Sequence, residues 1–326
     1  MYSAVLRNLR QLHPRHHLWF QQLLTVNWSN ETKGIALGLI AVILFSFTLP
    51  LSHYVTQSLD PWFVGMGRTA FGGLLAALIL WKRRVPFPSR KQVKWLLLSS
   101  LGITLGFPVC ISLAMSLTES SRGIIVVGIL PLVTAVIGSI LAKEKMPRAF
   151  WGFSLLGAAL VFAFTASQQS SGPQWADLLL IMAMLSAGFG YATGGKLSKE
   201  LPGWQVISWT LVLVMPLFWI PTALLFPAQP LEIEMGVWIA FAYLTIVSQL
   251  LGFFLWNSAM ALGGIAAVSQ TQLLQIFFSL LVADVLFGEE LNGLTWVFAV
   301  LIIAVVALGN KTVRVMQQKK AARQAA

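Results

Sequence analysis

Cysteine is almost missing from this chain: Cys110 is the one thiol, and it stands inside an apolar run. A lone thiol builds neither a disulfide framework nor a thiolate metal cluster. Histidine is nearly as scarce. Of 4 in all, His13, His16 and His17 fall in the polar lead, with no acid or thiol beside them to complete a metal site, so a solvated tail is expected there. Charge is thin as well, at 10% of residues, and the 11 acids are outnumbered by 22 Lys and Arg. Such a basic excess points to nucleic acid only when it gathers on a patch of a soluble domain. Here it fills short gaps between apolar runs, which excludes that class. The lead, residues 1–33, has no apolar core long enough for a signal peptide. Its Trp19, Phe20 and Trp28 suit a lipid interface. No polar stretch is long enough to fold as a soluble domain beside the rest.

What the chain does have is apolar sequence, 57% of it, with a mean hydropathy of +0.78. Ten runs recur at about 34–56, 61–81, 94–114, 120–142, 147–166, 174–195, 203–226, 235–260, 264–287 and 292–310. Each is near the roughly 20 residues that a helix needs to cross a bilayer core. Lipid offers no partner to an open backbone group, so spanning segments are helices unless they close into a barrel. The period-two polarity of barrel strands is missing from these runs. Twenty of the 22 Lys and Arg residues lie in the termini and alternate connections. Arg122 alone falls in the opposite set, and Arg68 lies inside a helix. This asymmetry predicts that both termini are cytoplasmic, in a multi-pass cell (inner or plasma) membrane protein.

The run Ser120–Arg148 carries Pro131 near its centre and ends in the cluster Lys143, Glu144, Lys145. A shift of 145 positions superposes Glu144 on Glu289, at the end of a second apolar run, and Pro131 on Ile276. Likewise LDPW at Leu59–Trp62 is echoed by LPGW at Leu201–Trp204. The expected architecture is therefore all-α: ten transmembrane helices in two five-helix repeats. Its parts are a cytoplasmic tail (1–33), a first repeat (34–166), a second repeat (173–310) and a basic cytoplasmic tail (311–326). Five is odd, so the second repeat enters the membrane inverted, the arrangement from which alternating access is built.

The segments ILPLVTAVIGSILAKEKM, VLFGEEL and DPWFVGMGRTAFGGLLAALIL, in that plan, resemble the EamA-like branch of the drug/metabolite transporter superfamily. The resemblance covers about residues 34–310 and implies transport of small solutes, often export of amino acids or other metabolites. The second repeat departs from it where SQTQLLQ and Ile276 replace the proline-centred pattern.

Arg68 lies about seven residues inside the second helix, roughly 10 Å along its axis. An ionised side chain at that depth costs several kcal/mol unless it is paired or hydrated. It either anchors an anionic group of a solute or serves as a structural ion pair or snorkel. Asp284 stands inside the ninth helix, either as a protonation site or as a structural partner, Arg68 included. Gln272, Gln275 and Ser279 share one helical face, as do Thr245, Gln249, Gly252 and Trp256. Shorter stripes are Ser46, Pro50 and His53; Ser100, Thr104 and Pro108; and Ser186, Gly190 and Thr193. Each stripe alone fits helix packing. Together they suggest a cavity for a zwitterionic, neutral or amphipathic solute, with candidates Ser46, His53, Thr104, Gln249, Trp256, Gln272 and Gln275. Pro50, Pro108 and Pro131 open helical hydrogen bonds and permit kinks.

Three other classes compete with a carrier. An enzyme needs a nucleophile and base or a metal set; His53 is the single histidine within a helix and no H-E-x-x-H occurs. A channel usually shows a filter motif, and none is visible. A membrane receptor or scaffold is the third. The expected partners are the bilayer, a small solute and a proton or counter-solute, with neither cofactor nor nucleic acid. The chain is expected to act as a monomer or weak homodimer.

Overall fold

The computed structural model describes residues 29–142, 147–167, 175–198, 200–263 and 268–325. The three tail histidines, Trp19, Phe20, Trp28 and the Lys143–Glu144–Lys145 cluster lie outside the described residues. Among the described residues, seven helices are long and apolar enough to cross a membrane: α1 (Thr32–Thr56), α2 (Pro61–Lys82), α3 (Arg90–Met115), α4 (Ser120–Gly138), α6 (Trp175–Leu197), α7 (Gly203–Leu224) and α8 (Met235–Gly263). Among the same residues, three helices with shorter apolar stretches complete the set: α5 (Arg148–Ser167), α9 (Leu273–Phe287) and α10 (Gly293–Ala325). The chain is an all-α membrane protein, and no strand occurs among the described residues.

Local chemistry sets the ends. Asp60 accepts from the Trp62 and Phe63 backbone N–H groups while Pro61 opens the helix, so the LDPW motif is the start of α2. Ser89 and Gln92 close a capping box that begins α3 at Arg90, earlier than hydropathy alone places it. Gly288, in the left-handed region at φ 66°, ends α9. The final helix outlasts its apolar part, which stops at Gly309, and continues to Ala325 through residues rich in Ala, Gln and Lys.

The packing repeats with the halves exchanged. The most extensive contacts run between α2 and α7, α1 and α8, α5 and α10, and α6 with both α3 and α4. Swapping the repeats turns α1·α8 into α6·α3, and leaves α2·α7 and α5·α10 unchanged. Both exchanged pairs close on glycine. A Cβ on Gly102 of α3 would strike the backbone of Gly190 in α6, and one on Gly34 of α1 would strike Gly263 in α8.

Four helices are irregular near their middles, and prolines account for three. Pro50 removes a donor within α1, which is broken at Phe47 between Asn30–Ser46 and Thr48–Thr56. Pro131 does the same in α4, where Ser120–Val127 gives way to Leu130–Ala142. Pro108 follows a π-helical turn at Leu101–Gly106 in α3. The corresponding stretch of α8, Tyr243–Leu251, is also π-helical without any proline.

Candidate functional site

These irregular segments meet at one cavity. Its lining includes Phe45, Thr48 and Leu49 of α1, Arg68 of α2 and Phe107 of α3. The α4 break contributes Val127, Gly128 and Pro131, and α6 contributes Tyr191. The second repeat adds Ser248, Gln249 and Phe253 of α8, then Gln272 just before α9 and Gln275 and Ser279 within it. The cleft is narrow, with a cavity volume of about 40 Å³. Both repeats supply its walls. Arg68 is the one charged side chain among the described residues of the lining.

Broken helices supply its polarity. Pro108 cannot donate to the Thr104 carbonyl, and Thr69 Oγ1 takes that acceptor instead. Gln249 Nε2 donates to the Ile103 carbonyl in the same widened turn, at 3.3 Å. Gln249 Oε1 in turn accepts from Arg68 Nη2 at 3.3 Å. Ser248 Oγ accepts from the same nitrogen at 3.3 Å and lies 2.8 Å from Thr48 Oγ1. One network therefore joins α1, α2, α3 and α8 across the two repeats. Arg68 is 1% exposed, and its Nε and Nη1 have no hydrogen-bond partner among the described residues.

The structure sorts the candidate residues. Arg68, Gln249, Gln272 and Gln275 line the cavity. Trp256 does not: it sits behind the wall, edge-on to Phe45 and against Tyr191. Ser46 and Thr104 donate back into their own helices, to Val42 and Ser100 at 2.7 and 2.9 Å. His53 Nδ1 is 2.8 Å from the Met115 carbonyl, away from the cleft. Asp284 is exposed on the outer face of α9, and the pairing with Arg68 is not formed. Its position on the helix wheel, off the polar stripe, explains why it points outward.

Thr48, Tyr191, Ser248 and Phe253 also line the cleft, and no sequence pattern singles them out. Ser248 could not be found on a wheel of 100° per residue, because the π-helical turn shifts the phase of α8 just there. Sequence pattern likewise marks Asp284 as the acid inside an apolar helix. Among the described residues the buried acid is instead Asp177, in the first turn of α6, 7% exposed and bidentate to Arg122 through Nε–Oδ1 at 2.8 Å and Nη2–Oδ2 at 2.6 Å. Beside it, Glu289 accepts from the Ser120 and Ser121 backbone N–H groups at 3.0 and 2.9 Å, and so caps α4 from the other repeat.

Among the described residues, apolar helices in two exchangeable halves, with a cleft between them that carries polar side chains, have the build of a membrane transporter. The chain belongs to the EamA-like transporter family, within the drug/metabolite transporter superfamily: the family domain matches residues 32–166 and again 174–310. It is 37% identical over 279 residues to "Uncharacterized transporter YdeK" of Bacillus subtilis (strain 168), covering 85% of this chain and 96% of that protein. "Uncharacterized transporter YyaM" of the same organism is 22% identical over 239 residues, covering 69% of this chain and 75% of its own length. A solved crystal structure shares the fold at a TM-score of 0.61, with 16% identity, over 86% of this chain and 98% of its own.

Proposed function

We propose that the chain is a secondary carrier that exports a small metabolite by alternating access, with the central cleft as its binding site. The solute is amino acid-like, zwitterionic or amphipathic, and both termini face the cytoplasm. The observation that carries this reading is the meeting of broken helices from both repeats at one narrow cleft that mixes amides, hydroxyls and a guanidinium with apolar side chains. A site between two inverted halves opens to either side as one half tilts against the other. Carriage rather than catalysis accords with a lining of amides, hydroxyls, aromatics and one guanidinium, without a nucleophile and base set in reach of each other.

The test is counterflow in proteoliposomes holding the purified chain. A solute that the protein carries shows saturable uptake, accelerated by the same solute on the far side. Gln275→Ala should lower uptake about tenfold, equivalent to about 1.4 kcal/mol, without loss of folded protein. Uptake that never saturates and ignores the far side would mean a pore, and a Gln275→Ala variant with parental kinetics would move the site elsewhere.

A further inference from the structure

Three polar atoms in the cleft lining are buried without a hydrogen-bond partner among the described residues, and all three are N–H donors: Arg68 Nε, Arg68 Nη1 and Gln272 Nε2. Gln272 is 5% exposed. Buried donors are rarely left open in a folded protein, because each forfeits its hydration without a replacement. The imbalance is one of charge as well as of count. Arg68 keeps a full positive charge, since a guanidinium does not lose its proton under ordinary conditions. The oxygens that it does reach, on Ser248 and Gln249, are neutral. Asp284 is on the outer face of α9, Asp177 is committed to Arg122, and Glu289 caps α4. The cleft thus has spare donors and a net positive charge, with no carboxylate of its own among the described residues.

We infer that the solute brings the missing group: it is a small organic carboxylate whose oxygens dock on Arg68 and Gln272. This rests on the carrier reading above and narrows its substrate class. A guanidinium is planar, and its paired donors match the two oxygens of a carboxylate. The remainder of the lining fixes the remainder of the solute. Phe45, Phe107, Tyr191 and Phe253 form an apolar, largely aromatic wall, so the body attached to the carboxylate is apolar. Gln249 has a second task. By holding Nη2 with Oε1 and the α3 turn with Nε2, it fixes the guanidinium so that the other nitrogens stay available.

Matched probes test this without knowledge of the natural solute. The thermal midpoint of the purified full chain in detergent is measured with 3-phenylpropionate, 3-phenylpropionamide, 3-phenylpropylamine and phenylalanine. A bound solute raises the midpoint by mass action. The carboxylate should raise it, while the amide and the amine at equal concentration do not. Stabilisation by phenylalanine as well would extend the site to zwitterions; stabilisation by 3-phenylpropionate alone would restrict it to anions. Arg68→Gln should need about tenfold more carboxylate, or more, for the same shift, the size expected when a charge-assisted contact is lost. Should Arg68→Gln not fold, Gln272→Leu and the acid–amide difference in the parent still decide. Equal effects of acid and amide, no effect of either carboxylate, or an undiminished shift in Arg68→Gln would overturn the proposal. Saturable counterflow of the amide with no preference for the acid would overturn it while leaving the carrier reading intact. Absence of saturable flux for solutes that do bind would instead remove the carrier reading.

Discussion

Arg68 and Arg122 are both buried in the helical bundle, at 1% and 7% exposure, and otherwise have little in common. Arg122, in the first turn of α4, is met by both oxygens of Asp177 from α6. Arg68, inside α2, is met by a serine hydroxyl and a glutamine carbonyl, and only through one of its three nitrogens. A buried cation with its own carboxylate is a finished structural element, satisfied in every state that keeps α4 and α6 together. A buried cation with neutral partners is unfinished. It is tolerable because Nη2 is hydrogen-bonded and the charge faces a cleft rather than packed hydrocarbon. The contrast teaches where each charge is spent: Arg122 on holding helices together, Arg68 on whatever enters between the repeats.

The largest expected effect breaks the finished pair. Arg122→Ala leaves the Asp177 carboxylate buried without its counter-charge and should cost about 3–5 kcal/mol, enough to remove most folded protein. The double variant Arg122→Met with Asp177→Leu removes both charges and should recover to within about 1 kcal/mol of the parent, or surpass it. Arg68→Met, by contrast, strands no carboxylate. It should fold with a thermal midpoint equal to or above that of the parent while losing solute binding. Unfolding followed in detergent for all three variants decides the matter. If Arg68→Met falls as far as Arg122→Ala, the two arginines do the same job and the distinction between them collapses.

Sequence and structure agree most closely where physics left few choices. Apolar length and the cost of open backbone groups in lipid were enough to place ten helices, and Pro50 and Pro131 marked the sites where α1 and α4 break. Arg68 stood out because a charge at that depth is rare. The stripe of Gln272 and Gln275 was legible because it lies at ordinary helical spacing, and both residues line the cleft. Three things were hidden. The π-helical turn of α8 has no proline to announce it, so a regular wheel gave Trp256 a place in the wall that Ser248 occupies. The partner of Arg122 is 55 residues away, in a helix whose first turn looked like a boundary. Glu289 appeared as a mere end to α9, yet its work is at the N-terminus of α4 in the other repeat.

That cap gives the second prediction, of intermediate size. Glu289 satisfies two of the open N–H groups of α4 and places a negative charge at the positive end of its dipole. Glu289→Ala should lower stability by about 1–2 kcal/mol, on the scale of a lost helix cap, and well short of the effect of Arg122→Ala. Glu289→Gln keeps an acceptor and should lie between the two. The thermal midpoints of the two variants against the parent supply the measurement. A Glu289→Ala protein as stable as the parent would make the contact incidental to how the repeats are joined.

The smallest effect is expected at Asp284, and it sharpens the comparison because this acid could have finished Arg68 as Asp177 finishes Arg122. It does not do so here: Asp284 lies on the outer face of α9, within a turn of the helix end at Phe287. An acid so close to the end of an apolar helix reaches the polar interface at little cost, and removing its charge frees no buried partner. Asp284→Asn should therefore change stability by less than about 0.5 kcal/mol, the range of ordinary surface substitutions, and leave counterflow at the parental rate. The decisive measurement is Asp284→Asn alone and combined with Arg68→Gln, in proteoliposomes and by thermal unfolding. Independent sites predict that the double variant equals Arg68→Gln, because residues without shared partners add. If Asp284→Asn instead stops counterflow in folded protein, or if its effect vanishes once Arg68 is replaced, the two groups communicate in another state of the cycle. Arg68 would then be a cation with an intermittent partner, and the carboxylate that completes it would belong to the protein rather than to the solute.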